Sequence, residues 1–213
     1  MLVIAYSSNP GYLNMVQRLE KLCEGWDIPF KAYDREWLEA QPEFEHNPKI
    51  FSAGRGGGYW AWKPLIILDA LQQSQEVIYL DSSVVPQSKE ALLNLMANTD
   101  KVSAAQYIEK NKVWTKRSCF VNMNCDHEMY WDVNQVWAGV IAARRFGTNI
   151  IQHWMYYCLQ YDVISDKPSE DNFPEFKDHR HDQSILTNIL LFHGQTPQLC
   201  DLFHDISNFK TTT

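Results

Sequence analysis

The chain has 213 residues, enough for one domain with a substantial apolar core, and 45% hydrophobic against 21% charged residues leaves no long disordered tract to explain. A formal net charge of −7, with no visible Lys/Arg stripe, argues against a nucleic-acid partner, because nothing would neutralise a phosphate backbone. Five cysteines, Cys23, Cys119, Cys125, Cys158 and Cys200, form no CxxC and no regular spacing, so neither a disulfide framework nor a zinc ribbon is indicated. Reduced thiols in the cytoplasm are the expectation.

In chain order, LVIAYS (2–7) is a continuous apolar run of the kind a strand buried on both faces produces. The N-terminus has no basic flank, so it reads as this first strand and not as a signal peptide. No window reaches the roughly 18 to 20 apolar residues that a membrane span needs. Asn9 as cap and Pro10 at the first helical position open a helix with Leu13, Val16, Leu19 and Cys23 at helical spacing, stopping at Gly25. IPFKAY predicts a second strand and DREWLEA a short helix. QPEFEHNPKIFSAGRGGG, with two prolines and four glycines, reads as a long connection, and such loops are usually functional or mobile. Pro64 then opens a nearly all-round apolar helix, LIILDALQQ. EVIYLD is the third strand, SKEALLNLMAN an amphipathic helix capped by Ser88, and KVSAAQY the fourth strand. Residues 108–134 read as short helices and loop, VWAGVIAARR as a fifth strand or strand pair, GTNIIQHWMYYCLQY and HDQSILTNILLFH as helices, and PQLCDLF as a last strand. Strands alternating with helices give an α/β fold with a central, mostly parallel sheet. Residues 1–213 are read as a single domain, with the polar end NFKTTT compatible with a native terminus or a linker to more chain.

Four places carry chemistry. Asp81 stands where an apolar strand gives way to DSS, and the carboxyl ends of strands border the ligand crevice of open α/β sheets. A carboxylate there can hold a divalent cation, with Ser83 pointing the same way two residues on, or it can simply cap the following turn. The glycines of RGGG allow close backbone approach but match neither a Walker loop nor a dinucleotide fingerprint. Arg55 beside them offers a planar fork to phosphate or a solvated surface charge. Tyr59, Trp60 and Trp62 offer flat faces to a sugar or base, or core packing. At a helix start, Asp182 and Gln183 can bond a polar ligand or complement the helix dipole. His179 and His181 lack a third ligand at zinc spacing. His204 could complete a metal site begun by Asp81, or be structural.

Together these features resemble a GT-A-type glycosyltransferase. AYSSN resembles the stretch that holds the nucleotide base, YLDSS a degenerate DxD metal motif, QVWAGVIAAR the strand lining the sugar pocket, and HDQSILTN the DQ helix start of retaining transferases such as family 8. RGGGYWAWKP with YLDSS, WTKRSCF and HRHDQS is similar to small bacterial capsule transferases and to the N-terminal domain of a chlorella-virus capsid-glycan glycosyltransferase. The resemblance implies a GT-A-like fold and a UDP-sugar donor with a glycan or glycoprotein acceptor. It implies Mn²⁺ or Mg²⁺ held by Asp81, Ser83 and His204. Donor contacts would come from Ala5, Tyr6, Ser7, Arg55, Gly58, Tyr59, Trp60, Lys63, Asp81, Ser82, Ser83 and Gly139, and the catalytic pair would be Asp182 and Gln183. A monomer is expected, in the host cytoplasm if the chain is viral. Ser83 stands where the motif has its second aspartate. An inverting enzyme needs a carboxylate base, and among Asp126, Glu128 and Asp132 none stands out, so the DQ match favours retention. Two other readings are a carbohydrate-binding module without turnover and a sugar-phosphate nucleotidyltransferase. The latter lacks its glycine-rich basic loop, since SSNPGY follows the first strand.

Overall fold

The structure is a computed structural model that describes residues 1–7, 10–195 and 197. The Asn9 cap, the strand expected at PQLCDLF (but for Pro197) and His204 lie outside the described residues.

Among the described residues five strands form one sheet in the order β2-β1-β3-β5-β4, with β1 Leu2–Ser7, β2 Phe30–Asp34, β3 Glu76–Leu80, β4 Val102–Lys110 and β5 Asn134–Arg144. β1 pairs in parallel with β2 and β3, whereas β5 runs antiparallel to both β3 and β4. All strands except β5 therefore point one way. The sheet is mixed in its pairing yet mostly parallel in direction.

Strand alternation sorts β1 into two cores. Leu2, Ile4 and Tyr6 enter one apolar cluster and Val3 and Ala5 the other, so both faces are covered and every residue of the strand is buried. The helices Pro10–Gly25 and Lys89–Ala97 close one face, through Val16, Leu19 and Cys23 and through Leu92, Leu95 and Met96. The helices Trp62–Gln73, Thr148–Cys158 and His181–Phe192 close the other. Leu13, expected on the buried face of the first helix, is 47% exposed. Ser88 caps its helix as expected, accepting a hydrogen bond from the Ala91 N–H at 3.2 Å. Among the described residues no helix is long and apolar enough to cross a membrane.

The connection 41–58 is the main revision to the expected elements. It folds into one-turn helices at Pro42–His46 and Pro48–Phe51 followed by a tight turn, because each proline sits at the first helical position, where its missing N–H costs nothing. The tight turn is unusual. Gly56, Gly57, Gly58, Tyr59 and Trp60 all have positive φ, at 60°, 60°, 109°, 54° and 58°. Glycine is the residue that reaches φ 109° without a Cβ penalty, and a Cβ on Gly58 would also stand 2.9 Å from the Phe51 ring. Tyr59 and Trp60 hold the same hand with side chains, at a strain of roughly 1 kcal/mol or more each.

β5 carries a second irregularity. Ala104 and Ala105 of β4 face Ile141 and Trp137, so residues 138–140 bulge out of that ladder while Val140 stays paired to Leu80. The bulge sends the backbone of Ala138 and Gly139 toward the site described next.

Candidate active site

The carboxyl ends of β1 and β3 and the left-handed turn enclose a pocket of about 300 Å³. Its walls include Tyr6 from β1, Gly56, Gly57 and Trp60 from the turn, and the Asp81–Ser83 segment after β3. Tyr6 stacks on Trp62 at a ring separation of 3.9 Å, and the Trp62 indole N–H donates to the Gly56 carbonyl at 2.9 Å. The glycines thus serve geometry: they bring the backbone of Gly54, Gly56 and Gly57 to the pocket wall.

Asp81 sits on the pocket wall with its side chain 29% exposed. Its N–H donates to the Gly139 carbonyl at 2.8 Å, which ties the end of β3 to the bulge of β5. One carboxylate oxygen, Oδ1, accepts from the Tyr79 hydroxyl and lies 3.1 Å from the Lys63 ammonium. Lys63 is only 3% exposed, donates to the Ala138 carbonyl at 2.9 Å, and lies 3.4 Å from Asp182 Oδ2. Asp81, Lys63 and Asp182 therefore form a line running from the pocket wall into the core. Burial alone would push the Lys63 ammonium down, but Asp182 and Asp81 outweigh it and hold the group above its ordinary value. Burial, reinforced by Asp81 and opposed by Lys63, lifts the Asp182 carboxyl to about 7.

Gln183 faces β5. Its amide NH₂ donates to Gln135 Oε1 at 2.7 Å and its carbonyl oxygen accepts from the Ala138 N–H at 3.1 Å. The bulged backbone is held by a side chain where a neighbouring strand would otherwise hold it.

Of the residues expected to contact a donor, Tyr6, Trp60, Asp81, Ser82 and Ser83 line the pocket together. Ala5 is packed in the core on the opposite face of β1, and Ser7 is buried at the strand end. Gly58 and Tyr59 are buried beneath the turn, where Tyr59 stacks on His181 at 4.9 Å. The guanidinium of Arg55 is held by Asp166 at 3.0 Å and Asp178 at 2.5 Å, joining the turn to the 166–178 segment. Lys63, Asp182 and Gln183 stand behind the pocket wall. Tyr79 and Tyr12 were not singled out from the sequence, yet both line the pocket. Tyr79 lies two residues before Asp81 on one strand, so period-two alternation alone puts it on the same face.

Among the described residues no group of three or more His, Cys, Asp or Glu side chains could hold a metal. What the pocket offers is one carboxylate, with Oδ1 engaged by Lys63 and Tyr79, and the neighbouring serine hydroxyls. That donor set fits Mg²⁺ or Mn²⁺ only as such ions are held by one carboxylate completed by substrate phosphates and water.

Among solved structures, the chain is similar to mouse xyloside xylosyltransferase 1 in its apo form, at a TM-score of 0.51 and 13% identity over 92% of this chain and 83% of that one. It is similar to the apo bifunctional glycosyltransferase WbbM at 0.51 and 13%, over 89% of this chain and 37% of that one. The fold is that of a GT-A-type glycosyltransferase. A glycosyltransferase involved in glycosylation of the major capsid of PBCV-1 also matches, at 0.45 and 12%, over 84% of this chain and 80% of that one. No family model and no curated protein sequence matches the chain. At such identities the GT-A likeness is one of fold, and function has to be argued from the pocket itself.

Proposed function

We propose that the chain transfers a sugar from a UDP-sugar donor to a glycan or glycoprotein acceptor. The observation that supports this reading is the single pocket that gathers the Tyr6 and Trp62 rings, the left-handed glycine turn and Asp81–Ser83 at the carboxyl ends of adjacent parallel strands. In this reading Tyr6 and Trp60 offer faces to the base and sugar, and the glycine turn lets the diphosphate approach the backbone closely. Asp81 and Ser83 would hold Mn²⁺ or Mg²⁺, joined by His204 from outside the described residues. When bound there, the ion supplies Lewis-acid stabilisation of the charge left on the diphosphate.

The chain's own residues prepare that step. Lys63 keeps Asp81 in one position while contributing a fixed positive charge behind the wall, and preorganised charge costs no rearrangement at the moment of reaction. Gln183 and the Ala138 backbone set the shape of β5 where the donor sugar would lie. We assign retention of configuration, on the resemblance of Asp182 and Gln183 to the DQ pair of retaining transferases. The product anomer, read by proton NMR, checks that assignment.

The decisive experiment is release of nucleoside diphosphate from a panel of nucleotide sugars with Mn²⁺ and oligosaccharide acceptors. Release is expected from a UDP-sugar and should fall on the order of 100-fold in Asp81→Asn. Unchanged release in that variant removes Asp81 from the mechanism, and sugar binding with no release from any donor replaces transfer by a binding role.

A further inference from the structure

A second pocket, of about 260 Å³, lies between the helix Thr148–Cys158, the end of the helix His181–Phe192 and residues 123–130. It shares no lining residue with the first. Ten residues of helix separate Asp182, behind the donor pocket, from Phe192 on this rim, which is about 15 Å along the axis. Three rings, Tyr130, Tyr157 and Phe192, contribute to its walls. Phe192 is 65% exposed, so a large ring face stands in water at the rim. His153, on the wall, has its Nδ1 3.1 Å from Nε2 of the neighbouring His193, so this contact occupies one nitrogen of each imidazole. Exposed Asn124, at φ 53°, brings a side-chain amide to the same rim.

The lining contains no lysine, arginine, aspartate or glutamate among the described residues. Burial holds both imidazoles below the ordinary histidine value, so they too are neutral at physiological pH. A phosphate or nucleotide would find no countercharge among the lining residues, although Lys101, outside the lining, acts on His193. A purely apolar guest would make no use of the imidazole and amide groups on these walls, and any of them it cut off from water would count against its binding. The chemistry that satisfies both kinds of wall is a ring with apolar C–H faces and neutral hydroxyls at its edge.

We infer that this pocket binds one ring of a neutral glycan, at a site separate from the donor pocket. It would hold a distal sugar of the acceptor if the transfer reading above is correct, but the binding itself does not depend on transfer. Saturation-transfer NMR on the full chain with a panel of methyl pentosides, hexosides and N-acetylhexosaminides at millimolar concentration tests it. At least one glycoside should receive saturation, and the signal should persist with saturating UDP and Mn²⁺. Its Kd should rise about tenfold in Phe192→Ala, the scale of one stacked aromatic contact. Asn124→Gly keeps the left-handed backbone, removes the amide and should also weaken binding, so it serves if the first variant proves unstable. No saturation of any glycoside, displacement of the signal by UDP, or a Kd unchanged in a folded variant overturns the inference. None of these results bears on whether nucleoside diphosphate is released.

Discussion

Lys63 is a cation with almost no water and two carboxylates for company. Its place follows from the sequence: the helix Trp62–Gln73 starts directly after the left-handed turn, so its first residues are aimed across the sheet at β5. Removing one member of a buried ion pair leaves the rest uncompensated, and Lys63→Met should lower unfolding free energy by about 3–5 kcal/mol in a denaturant titration. Asp182 adds a pH dependence of definite sign. Its carboxyl titrates near 7 when folded against an ordinary 3.8, so the folded state binds more protons between those values. Stability from this group is complete below 3.8 and is lost as pH rises towards about 7. Thermal midpoints measured across that window should decline in the parent, and Asp182→Asn, with no proton to lose, should flatten the decline. A steeper decline in the variant would contradict the burial argument.

At the scale of elements, the left-handed turn and the bulge in β5 decide where the pocket lies. Gly58→Ala places a Cβ at φ 109° and 2.9 Å from Phe51, so the variant should lose more than about 1 kcal/mol of stability, against a gain for the same change at an unstrained site. Denaturant unfolding of the pair Gly58→Ala and Gly54→Ala makes the comparison, since Gly54 has open space around it. Regular elements were legible because periodicity reports burial: LVIAYS, EVIYLD and SKEALLNLMAN match β1, β3 and the helix Lys89–Ala97 within a residue or two. Neither irregular element was. Three glycines announce a special backbone without saying which one. A bulge depends on how β4 and β5 align, and no local pattern within β5 encodes that.

The described residues form one sheet between two apolar cores, with the pocket where β1, β3 and the turn meet. Asp81 could be found from sequence because a strand terminus is visible as a switch from apolar to polar residues. The Lys63 to Asp182 pairing could not, since it joins positions 119 apart through a helix packing that only the assembled fold creates. The Arg55 pairs with Asp166 and Asp178 likewise span distant segments, and all three side chains are a third or more exposed. Screening by water limits such pairs to about 1 kcal/mol or less. Arg55→Ala should therefore barely move the global unfolding midpoint while speeding amide hydrogen exchange in residues 166–178. Equal exchange in parent and variant would show that the segment is held by other contacts.

Five successive residues of reversed hand also constrain how this chain can change over generations. Gly58 is the tightest mutational bottleneck, since a side chain there meets both φ 109° and the Phe51 ring, and Gly56 follows because a Cβ would stand 2.3 Å from the Trp60 ring; Gly57, at φ 60°, shares the torsion that Tyr59 and Trp60 already carry. Positions 59 and 60 have more latitude, because asparagine or glycine would relax their torsions at the cost of the ring that leans on His181. Saturation libraries selected only for folding should keep Gly58 most strictly and drift at the two aromatics. Retention of Tyr59 and Trp60 under selection for activity alone would then mark those rings as kept for something other than folding.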